Sequence, residues 1–204
     1  MRVSAVVLAA GGSARFGKPK QFALFQGEAF IKRFVVAAIK AGCAPVVVVA
    51  GEDSAQITSE LTRFTVTIAM NPDWQRGLGS SIVVGIRHAM NLAPDLDAAV
   101  LLTCDQPFVN VAVLAQLMQL GLTTGKPIVA SAYADTLGIP AFFDRSCFPD
   151  LLGLKEDRGA KKIILARLQD VASFDFPAGE IDIDTAADYE KLDQPLAADG
   201  TRLG

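Results

Sequence analysis

The chain of 204 residues has few of the residues on which several common kinds of protein depend. It has a single histidine, His88, so a histidine-rich metal centre or a Ser-His-Asp triad has little to draw on. Its three cysteines, Cys43, Cys104 and Cys147, are scattered and include no CxxC pair. This spacing predicts neither a disulfide framework nor a zinc site, and it is typical of a cytoplasmic protein.

Long apolar runs and an excess of positive charge are also missing. No apolar stretch reaches the roughly 18 residues that a membrane span requires, so no membrane protein is predicted. The net charge of −3 argues against a nucleic-acid binder, because polyanion binding normally needs a basic excess. The charge is uneven, with basic side chains concentrated in residues 1–40 and acidic ones in residues 175–200. The basic part could hold phosphates and the acidic part a cation, unless both are simply solvated surfaces.

The sequence does have a large apolar fraction, arranged in alternating segments. Hydrophobic residues make up 51% of the chain, enough for a substantial core. Residues 3–10, 45–50 and 98–103 are short continuous apolar runs, as in strands buried on both faces of a mainly parallel sheet. Patterns typical of helices lie between them. We therefore predict an α/β fold, a single-domain doubly wound sheet, mostly parallel but mixed, with helices on both faces.

The second half of the chain is less regular but continues the same domain. No repeat or internal linker interrupts it, so one domain is predicted over residues 1–194, followed by a loose tail over 195–204. The elements predicted in this half are strands at 126–134, 139–143 and 171–176 and helices at 159–168 and 185–192.

The stretch LAAGGSARFGKPKQ (8–21) follows the first predicted strand. From Gly12 to Lys18 it matches the Walker A phosphate loop, but Pro19 stands where that loop ends in Ser or Thr. Pro19 has no hydroxyl for Mg²⁺ and disfavours helical backbone at Lys18, so the helix of a Walker A loop should not begin here. A degenerate P-loop with residues 98–105 as its Walker B strand is a minor alternative.

The loop nevertheless has the chemistry of a phosphate-binding site. Gly11 and Gly12 permit a tight turn in which successive backbone N–H groups face an anion. Arg15, Lys18 and Lys20 add positive charge nearby. The combination suits a nucleoside triphosphate or another polyphosphate; alternatively, the glycines only turn the chain and the cations are solvated.

This loop resembles the signature loop of nucleotidyltransferases with the glycosyltransferase-A-like fold. Within that superfamily the chain is most similar to the molybdenum cofactor cytidylyltransferases. The loop alone is specific only to the superfamily, whereas the ordered set of blocks, spanning residues 8–189, is much more specific. The other blocks are NPDWQRGLGSSIVVGI (71–86), TCDQPFV (103–109), GIPAFF (138–143), EDRGAKKI (156–163) and DIDTAADY (182–189).

The resemblance implies a Mg²⁺-dependent enzyme that transfers CMP from CTP to molybdopterin and releases pyrophosphate. The nucleotide would lie over the carboxyl ends of the strands, where open α/β sheets generally bind ligands. The implied catalytic residues are Arg15, Lys20 and Asp105, acting by positioning and charge neutralisation. Mg²⁺ needs only one or two protein carboxylates. Asp105 is the predicted first metal ligand, Asp184 the second, and Asp182 the reserve.

The nucleotide contacts are expected from the loop and from the block at 71–86. Asn71, Ser80 and Ser81 carry polar groups suited to a base and ribose, and Gly77 permits close backbone approach. Ala10 stands where related guanylyltransferases tend to have Gly, and its methyl group would favour the smaller cytosine. The full predicted nucleotide-binding set is Leu8, Ala9, Ala10, Gly11, Gly12, Lys20, Asn71, Gly77, Ser80, Ser81 and Asp105.

Three other conspicuous side chains near these blocks are interpreted as structural. Trp74 could stack on a ring, but packing is slightly favoured. His88 is interpreted as a surface residue of a helix rather than a catalyst. Cys104 is interpreted as a small packed residue rather than a nucleophile.

The chain departs from the family pattern in the half expected to bind the acceptor. Ala186 and Ala187 stand where Pro and an acid are usual. Glu156 replaces a common Gly, Lys161 a common Arg, and Ile139 a frequent His. The acceptor is therefore the part of the prediction that these departures affect most.

Alternative functions remain open on the sequence alone. One is transfer of GMP to the same cofactor. Another is activation of a sugar or polyol phosphate, as in methylerythritol phosphate cytidylyltransferases, whose loop also reads Pro-Lys-Gln but which usually lack CDQP. A third is a carrier that hands molybdenum cofactor to an apo molybdenum hydroxylase of the xanthine dehydrogenase type. The expected partners are CTP, a molybdopterin-type acceptor and, if the chain also carries cofactor, that hydroxylase, with a monomer as the default.

Overall fold

The computed structural model describes residues 1–11, 19–155, 158–183 and 185–192. The strands within these residues are β1 (Val3–Ala9), β2 (Leu24–Phe25), β3 (Glu28–Ala29), β4 (Val46–Ala50), β5 (Thr67–Met70), β6 (Ala98–Thr103), β7 (Ile128–Tyr133), β8 (Thr136–Asp144) and β9 (Val171–Asp175). The helices are α1 (Phe30–Lys40), α2 (Ser54–Leu61), α3 (Leu78–Leu92), α4 (Val111–Thr124), α5 (Phe148–Leu152), α6 (Lys161–Ala166) and α7 (Ala186–Leu192).

The main sheet has seven strands in the order β5-β4-β1-β6-β8-β7-β9. Strand β1 pairs in parallel with β4 and β6, and β4 pairs in parallel with β5. Strand β8 runs antiparallel to both β6 and β7, whereas β9 is parallel to β7. The predicted α/β class, with a doubly wound and mostly parallel but mixed sheet, is confirmed.

The antiparallel strand follows from a tight turn between β7 and β8. Ala134 and Asp135 both have positive φ, at 46° and 54°. Two consecutive residues in this region are typical of the turn that matches the twist of a hairpin. The chain therefore reverses directly into β8 instead of crossing over through a helix.

The two faces of the sheet bury separate hydrophobic clusters, which explains the continuous apolar runs in the sequence. Side chains alternate along β1, so Ala5 and Val7 face one cluster, and Val6 and Leu8 face the other. The first cluster includes residues of α1, α2 and α4. The second includes residues of α3, α5 and α6.

Helix α3 approaches the sheet closely because of one glycine. A Cβ at Gly85 would lie 2.9 Å from Cγ2 of Val49 and closer still to Cγ1 of Val6. Any larger residue would therefore push the helix away from β1 and β4. The close approach also fixes the beginning of α3 beside the carboxyl ends of these strands.

One strand of the sheet was missed from the sequence, and the predicted tail is not described by the structure. Strand β5 was not predicted, because only one of its residues is fully buried and its sequence lacks a continuous apolar run. The predicted tail over 195–204 lies outside the described residues, so the boundary after residue 194 stays a prediction. No helix in the described part of the chain is long and apolar enough to cross a membrane.

Candidate functional site

The carboxyl ends of β1 and β6 meet at one edge of the sheet, because the two strands are parallel and pair Leu8 with Thr103. Just beyond this edge lies a pocket of about 280 Å³. Its walls come from the segments after β1 and β6, from the segment at 20–21, and from the loop that leads into α3. The members of the predicted set that line it are Leu8, Ala10, Gly11, Lys20, Gly77, Ser81 and Asp105.

The other predicted site residues are not part of this lining or cannot be described. The Ala9 side chain packs into the core on the opposite face of the sheet from Leu8. Gly12, Arg15 and Asp184 lie outside the described residues. Their roles, implied by the resemblance, therefore stay predictions.

The central charged contact of the pocket joins Lys20 to Asp105. The Nζ atom of Lys20 donates to Oδ2 of Asp105 at 3.2 Å, with the two side chains 16% and 25% exposed. Asp105 lies just after β6, and Lys20 begins a single turn of 3₁₀ helix, so the pair links the sheet edge to the segment after the glycine-rich loop. Partial burial weakens the screening of such a pair by solvent.

The neighbouring Gln21 anchors the turn that carries Lys20, a role that no motif in the sequence indicated. Its buried side chain donates from Nε2 to Oδ2 of Asp53 at 2.9 Å. Asp53 lies between β4 and α2, so this bond attaches the Lys20 turn to a second strand end. The only sequence signal for this role was the Pro-Lys-Gln run itself.

The loop between β5 and α3 is closed by Asn71. Its buried amide donates to the hydroxyl oxygens of Ser80 and Ser81, both at 2.9 Å, and its Oδ1 accepts from the backbone N–H of Asp73 at 3.0 Å. These bonds order the first turn of α3. Among these residues, Ser81 lines the pocket, while Asn71 is engaged in bonds within the loop. A direct contact of Asn71 with a nucleotide stays a prediction.

Trp74 both packs and lines the pocket. It contacts the hydrophobic cluster of α3, and a Cβ at Gly51 would lie 2.8 Å from its Cγ. Gly51 follows β4 directly, so the absence of a side chain there makes room for the indole. The same indole belongs to the pocket lining.

Tyr133 and Gln106, the residue after Asp105, form a hydrogen-bonded polar pair that no motif in the sequence indicated. The Tyr133 hydroxyl donates to the backbone oxygen of Ile139 at 2.9 Å and occupies the space that a Cβ at Gly138 would need. The GIPAFF block thus accommodates this phenol. Burial raises the pKa of Tyr133, a hydrogen bond with Gln106 lowers it, and the Asp182 and Asp105 carboxylates raise it further. Both carboxylates therefore lie within electrostatic reach of one phenol.

Cys104 is buried and also belongs to the pocket lining, whereas His88 is half-buried on α3. Burial, with a smaller contribution from Asp105, raises the pKa of the Cys104 thiol well above its usual range, and Lys20 only partly opposes this. A protonated thiol is a poor nucleophile, since the thiolate is the reactive form. The Nδ1 atom of His88 lies 2.9 Å from the backbone oxygen of Val84 in the preceding helical turn.

The donor set suits a hard divalent cation. Asp105 lies in the pocket and Asp182 is near enough to act on the same phenol, and carboxylate oxygens are the ligands that Mg²⁺ and Mn²⁺ prefer. The described residues contain no group of three or more His, Cys, Asp or Glu side chains that could hold a metal ion. Mg²⁺ does not require such a group, because it normally keeps waters and substrate phosphates as ligands.

The fold and the charged pocket at its carboxyl edge define the class of nucleotidyltransferase-like α/β proteins. Residues 5–171 match the family described as the MobA-like NTP transferase domain. The chain therefore belongs to this family, and the predicted resemblance is confirmed at that level.

Two curated relatives and one solved structure illustrate the range of similar proteins. The chain is 30% identical over 128 residues to the purine catabolism protein PucB of Bacillus subtilis, covering 61% of the chain and 60% of PucB. It is 30% identical over 117 residues to the nicotine blue oxidoreductase of Paenarthrobacter nicotinovorans, covering 57% of the chain and 55% of that protein. The matches thus span little more than half of these relatives.

The solved structure extends the similarity to most of the chain. The crystal structure of Rv0371c from Mycobacterium tuberculosis H37Rv superposes with a TM-score of 0.78 at 26% identity, covering 94% of this chain and 98% of that one. The same mycobacterial protein has also been solved in complex with manganese.

Proposed function

We propose that this chain is a Mg²⁺-dependent cytidylyltransferase that transfers CMP from CTP to a molybdopterin-type cofactor. The observation that carries the proposal is the Lys20–Asp105 pair, which lies in the pocket at the carboxyl edge of the sheet. Family membership supports nucleotidyl transfer in general. The blocks that resemble molybdenum cofactor cytidylyltransferases support the particular nucleotide and acceptor.

The proposed reaction needs charge neutralisation more than acid–base chemistry. A phosphate oxygen of the acceptor attacks the α-phosphorus of CTP, the bond from that phosphorus to the β-phosphate oxygen breaks, and pyrophosphate leaves. The attacking oxygen is already negatively charged, so no strong base is required. Lys20 would stabilise the charge on the α-phosphate and on pyrophosphate, with Arg15 as its predicted partner.

Asp105, with Asp182 or Asp184, would hold the metal ion. A bound Mg²⁺ would supply further charge neutralisation at the phosphates. The manganese complex of the mycobacterial protein supports a divalent cation in this fold. The ammonium group of Lys20 also contacts the Asp105 carboxylate and partly neutralises its charge.

Ala10 is the proposed determinant of base choice. Ala10 is buried and lines the pocket, so its methyl group reduces the space available to a base. We expect Ala10→Gly to bind GTP more tightly relative to CTP, measured by calorimetric titration of both nucleotides. An unchanged ratio of the two dissociation constants would remove Ala10 from base selection.

The proposed acceptor connects the chain to molybdenum hydroxylases. One relative is named for purine catabolism, and xanthine, the substrate of one such hydroxylase, is a purine. An apo-hydroxylase as recipient of the product and a cytoplasmic location belong to this proposal. A monomer remains the expected form of the protein.

The test is pyrophosphate release with CTP, GTP, ATP or UTP and Mg²⁺, with and without molybdenum-loaded molybdopterin. Release that requires both CTP and the cofactor is the expected result. Release with GTP instead would indicate the guanylyltransferase alternative. Turnover of CTP only with sugar or polyol phosphates would overturn the acceptor, and no turnover with any pair would favour a carrier.

A further inference from the structure

Gln106, the residue after Asp105, is buried, with 3% of its surface exposed. The proposed reaction gives this polar side chain no role. Its Nε2 donates to the backbone oxygen of Gly179 at 2.8 Å, across 73 positions in the sequence. Its Oε1 is buried and has no hydrogen-bond partner in the described part of the chain. An unpaired buried acceptor costs free energy, so the bonds of this side chain to Gly179 and to the Tyr133 hydroxyl are the contributions that favour an amide here.

Gly179 is held on its other sides by two aromatic rings. A Cβ at this position would lie 2.7 Å from ring atoms of both Phe176 and Tyr133. The backbone N–H of Gly179 also donates to the oxygen of Phe176 at 2.8 Å. The two rings thus leave no room for a side chain at position 179, and the Gln106 amide bonds the Gly179 carbonyl.

A second bond joins the same two segments a few residues later. The backbone N–H of Ile183 donates to the backbone oxygen of Asp105 at 2.9 Å, and the Ile183 side chain is buried. Residues 105–106 are thus bonded to residues 179 and 183. Asp182 lies between these two attachments and is itself exposed.

We infer that Gln106 is a positioning residue for the acidic segment, defined as residues 177–183. Its amide holds this segment against the loop of Asp105. In this inference the attachment sets the position of Asp182 relative to Asp105, so that the two carboxylates can ligate one divalent cation. This inference rests on the proposed function, in which Asp105 binds the metal ion. It assigns a role to the Gln of the CDQP run that a hydrophobic residue of the same size could not perform.

The first test measures metal affinity without turnover. Gln106→Met is nearly isosteric but cannot donate to Gly179. Mn²⁺ binding to the full chain, followed by the electron paramagnetic resonance of free Mn²⁺, should weaken by about tenfold or more, as happens when residues that orient metal ligands are lost. Gln116→Met, the same change on an exposed surface of α4, should leave the affinity unchanged.

The second test separates positioning from general stability. If Gln106 acts through Asp182, then Asp182→Asn should weaken Mn²⁺ binding in the wild type but add little in Gln106→Met. Additive losses in this double-mutant cycle would overturn the positioning role. Ser4→Ala, which removes the hydrogen bond from the hydroxyl of the buried Ser4 to the Pro45 backbone oxygen at the far end of β1, controls for a loss of stability alone.

The third test does not depend on a metal. Amide hydrogen exchange of the acidic segment, including the Ile183 N–H, should be faster in Gln106→Met, while that of β1 stays unchanged. Equal exchange in the two proteins would overturn the attachment itself. Gln106→Asn, which keeps the amide but shortens its reach, is expected to behave like Gln106→Met and replaces it if that variant does not fold.

Asp105→Asn, measured beside Gln106→Met, distinguishes a failure of the positioning role of Gln106 from a failure of the proposed function. Loss of Mn²⁺ binding in Asp105→Asn with wild-type affinity in Gln106→Met would overturn the positioning role and leave the proposed function standing. Equal Mn²⁺ binding by the wild type and Asp105→Asn would contradict the proposed metal site, and the inference would fail with it.

Discussion

The two halves of the sheet are built in different ways. In the first half, β1, β4, β5 and β6 are parallel and lead into loops at one edge, where the pocket lies. In the second half, β8 is antiparallel and the chain turns through a hairpin and short helices. The first half supplies Lys20 and Asp105. The second contributes the Tyr133 phenol, which bonds Ile139, and the acidic segment, which is bonded to Gln106.

This difference separates two kinds of contribution to the candidate site. The pocket of the first half depends on strand ends, which follow directly from parallel topology. The contribution of the second half depends on individual side chains that attach one loop to another. We therefore expect substitutions in the first half to change chemistry most, and those in the second half to change it through position.

The largest effect is expected from Asp105→Asn. Loss of the carboxylate removes the predicted metal ligand and the partner of Lys20, so turnover should fall by about 100-fold or more in the pyrophosphate assay. Asp97→Asn is a matched control, because Asp97 precedes the opposite end of β6 and accepts from the backbone N–H of Arg2. Near-wild-type turnover in Asp105→Asn would remove this residue from the mechanism.

A loss of similar size is expected from Lys20→Ala. The ammonium group neutralises charge at the phosphates in the proposed reaction, so kcat should fall by about 100-fold. Lys40→Ala, at the exposed end of α1, should leave the rate unchanged. If Lys20→Ala raises only the KM for CTP and leaves kcat intact, Lys20 binds the nucleotide without stabilising the transition state.

A stability effect of about 1–3 kcal/mol is expected from Gly85→Ala, because the new methyl group overlaps Val6 and crowds Val49. Urea denaturation followed by circular dichroism measures the change. Helix propensity alone predicts the opposite sign, since Ala in a helix is more favourable than Gly by roughly 0.5–1 kcal/mol. A more stable variant would therefore show that α3 does not depend on close contact with the sheet.

The smallest effect is expected from Tyr133→Phe, which removes the hydrogen bond to Ile139 and should cost about 1 kcal/mol. The raised pKa of Tyr133 means that the neutral phenol stabilises the folded state below its usual pKa of about 10. That contribution is lost as the pH rises further, so the wild type and the variant should converge in stability at high pH. A constant difference across this range would contradict the raised pKa.

The fold could be predicted from the sequence where the residues of a segment alone determine its secondary structure and burial. The runs at 3–10 and 98–103 are apolar on both faces, so they required burial on both sides and a parallel sheet. Strand β5 was missed because its burial comes from its place beside β4 rather than from its own pattern. A mixed sheet and a strand at 139–143 were predicted, but the antiparallel direction of β8 was not assigned to it, since neither of the two turn residues with positive φ, Ala134 and Asp135, is a glycine.

The candidate site was predictable where its chemistry is local to a motif. The glycine-rich loop and the acid after an apolar strand pointed to Lys20 and Asp105 in the sequence. The structure brings these two side chains together in the pocket, while their roles stay predictions. Gln106 and Tyr133 were not identified, because neither is charged and each has an ordinary structural use. Their partners, Gly179 and Ile139, become neighbours only in the folded chain.

The sequence alone determined the α/β class and the strand that leads to Asp105, and it predicted a basic loop whose binding of a polyphosphate stays a prediction. Apolar periodicity and the placement of charge are properties of short segments, so they are visible without the fold. Only the tertiary structure decided that Lys20 pairs with Asp105, that Gly85 brings α3 onto the sheet, and that Gln106 holds the acidic segment. These contacts join distant parts of the chain, and their existence depends on how all the intervening elements pack.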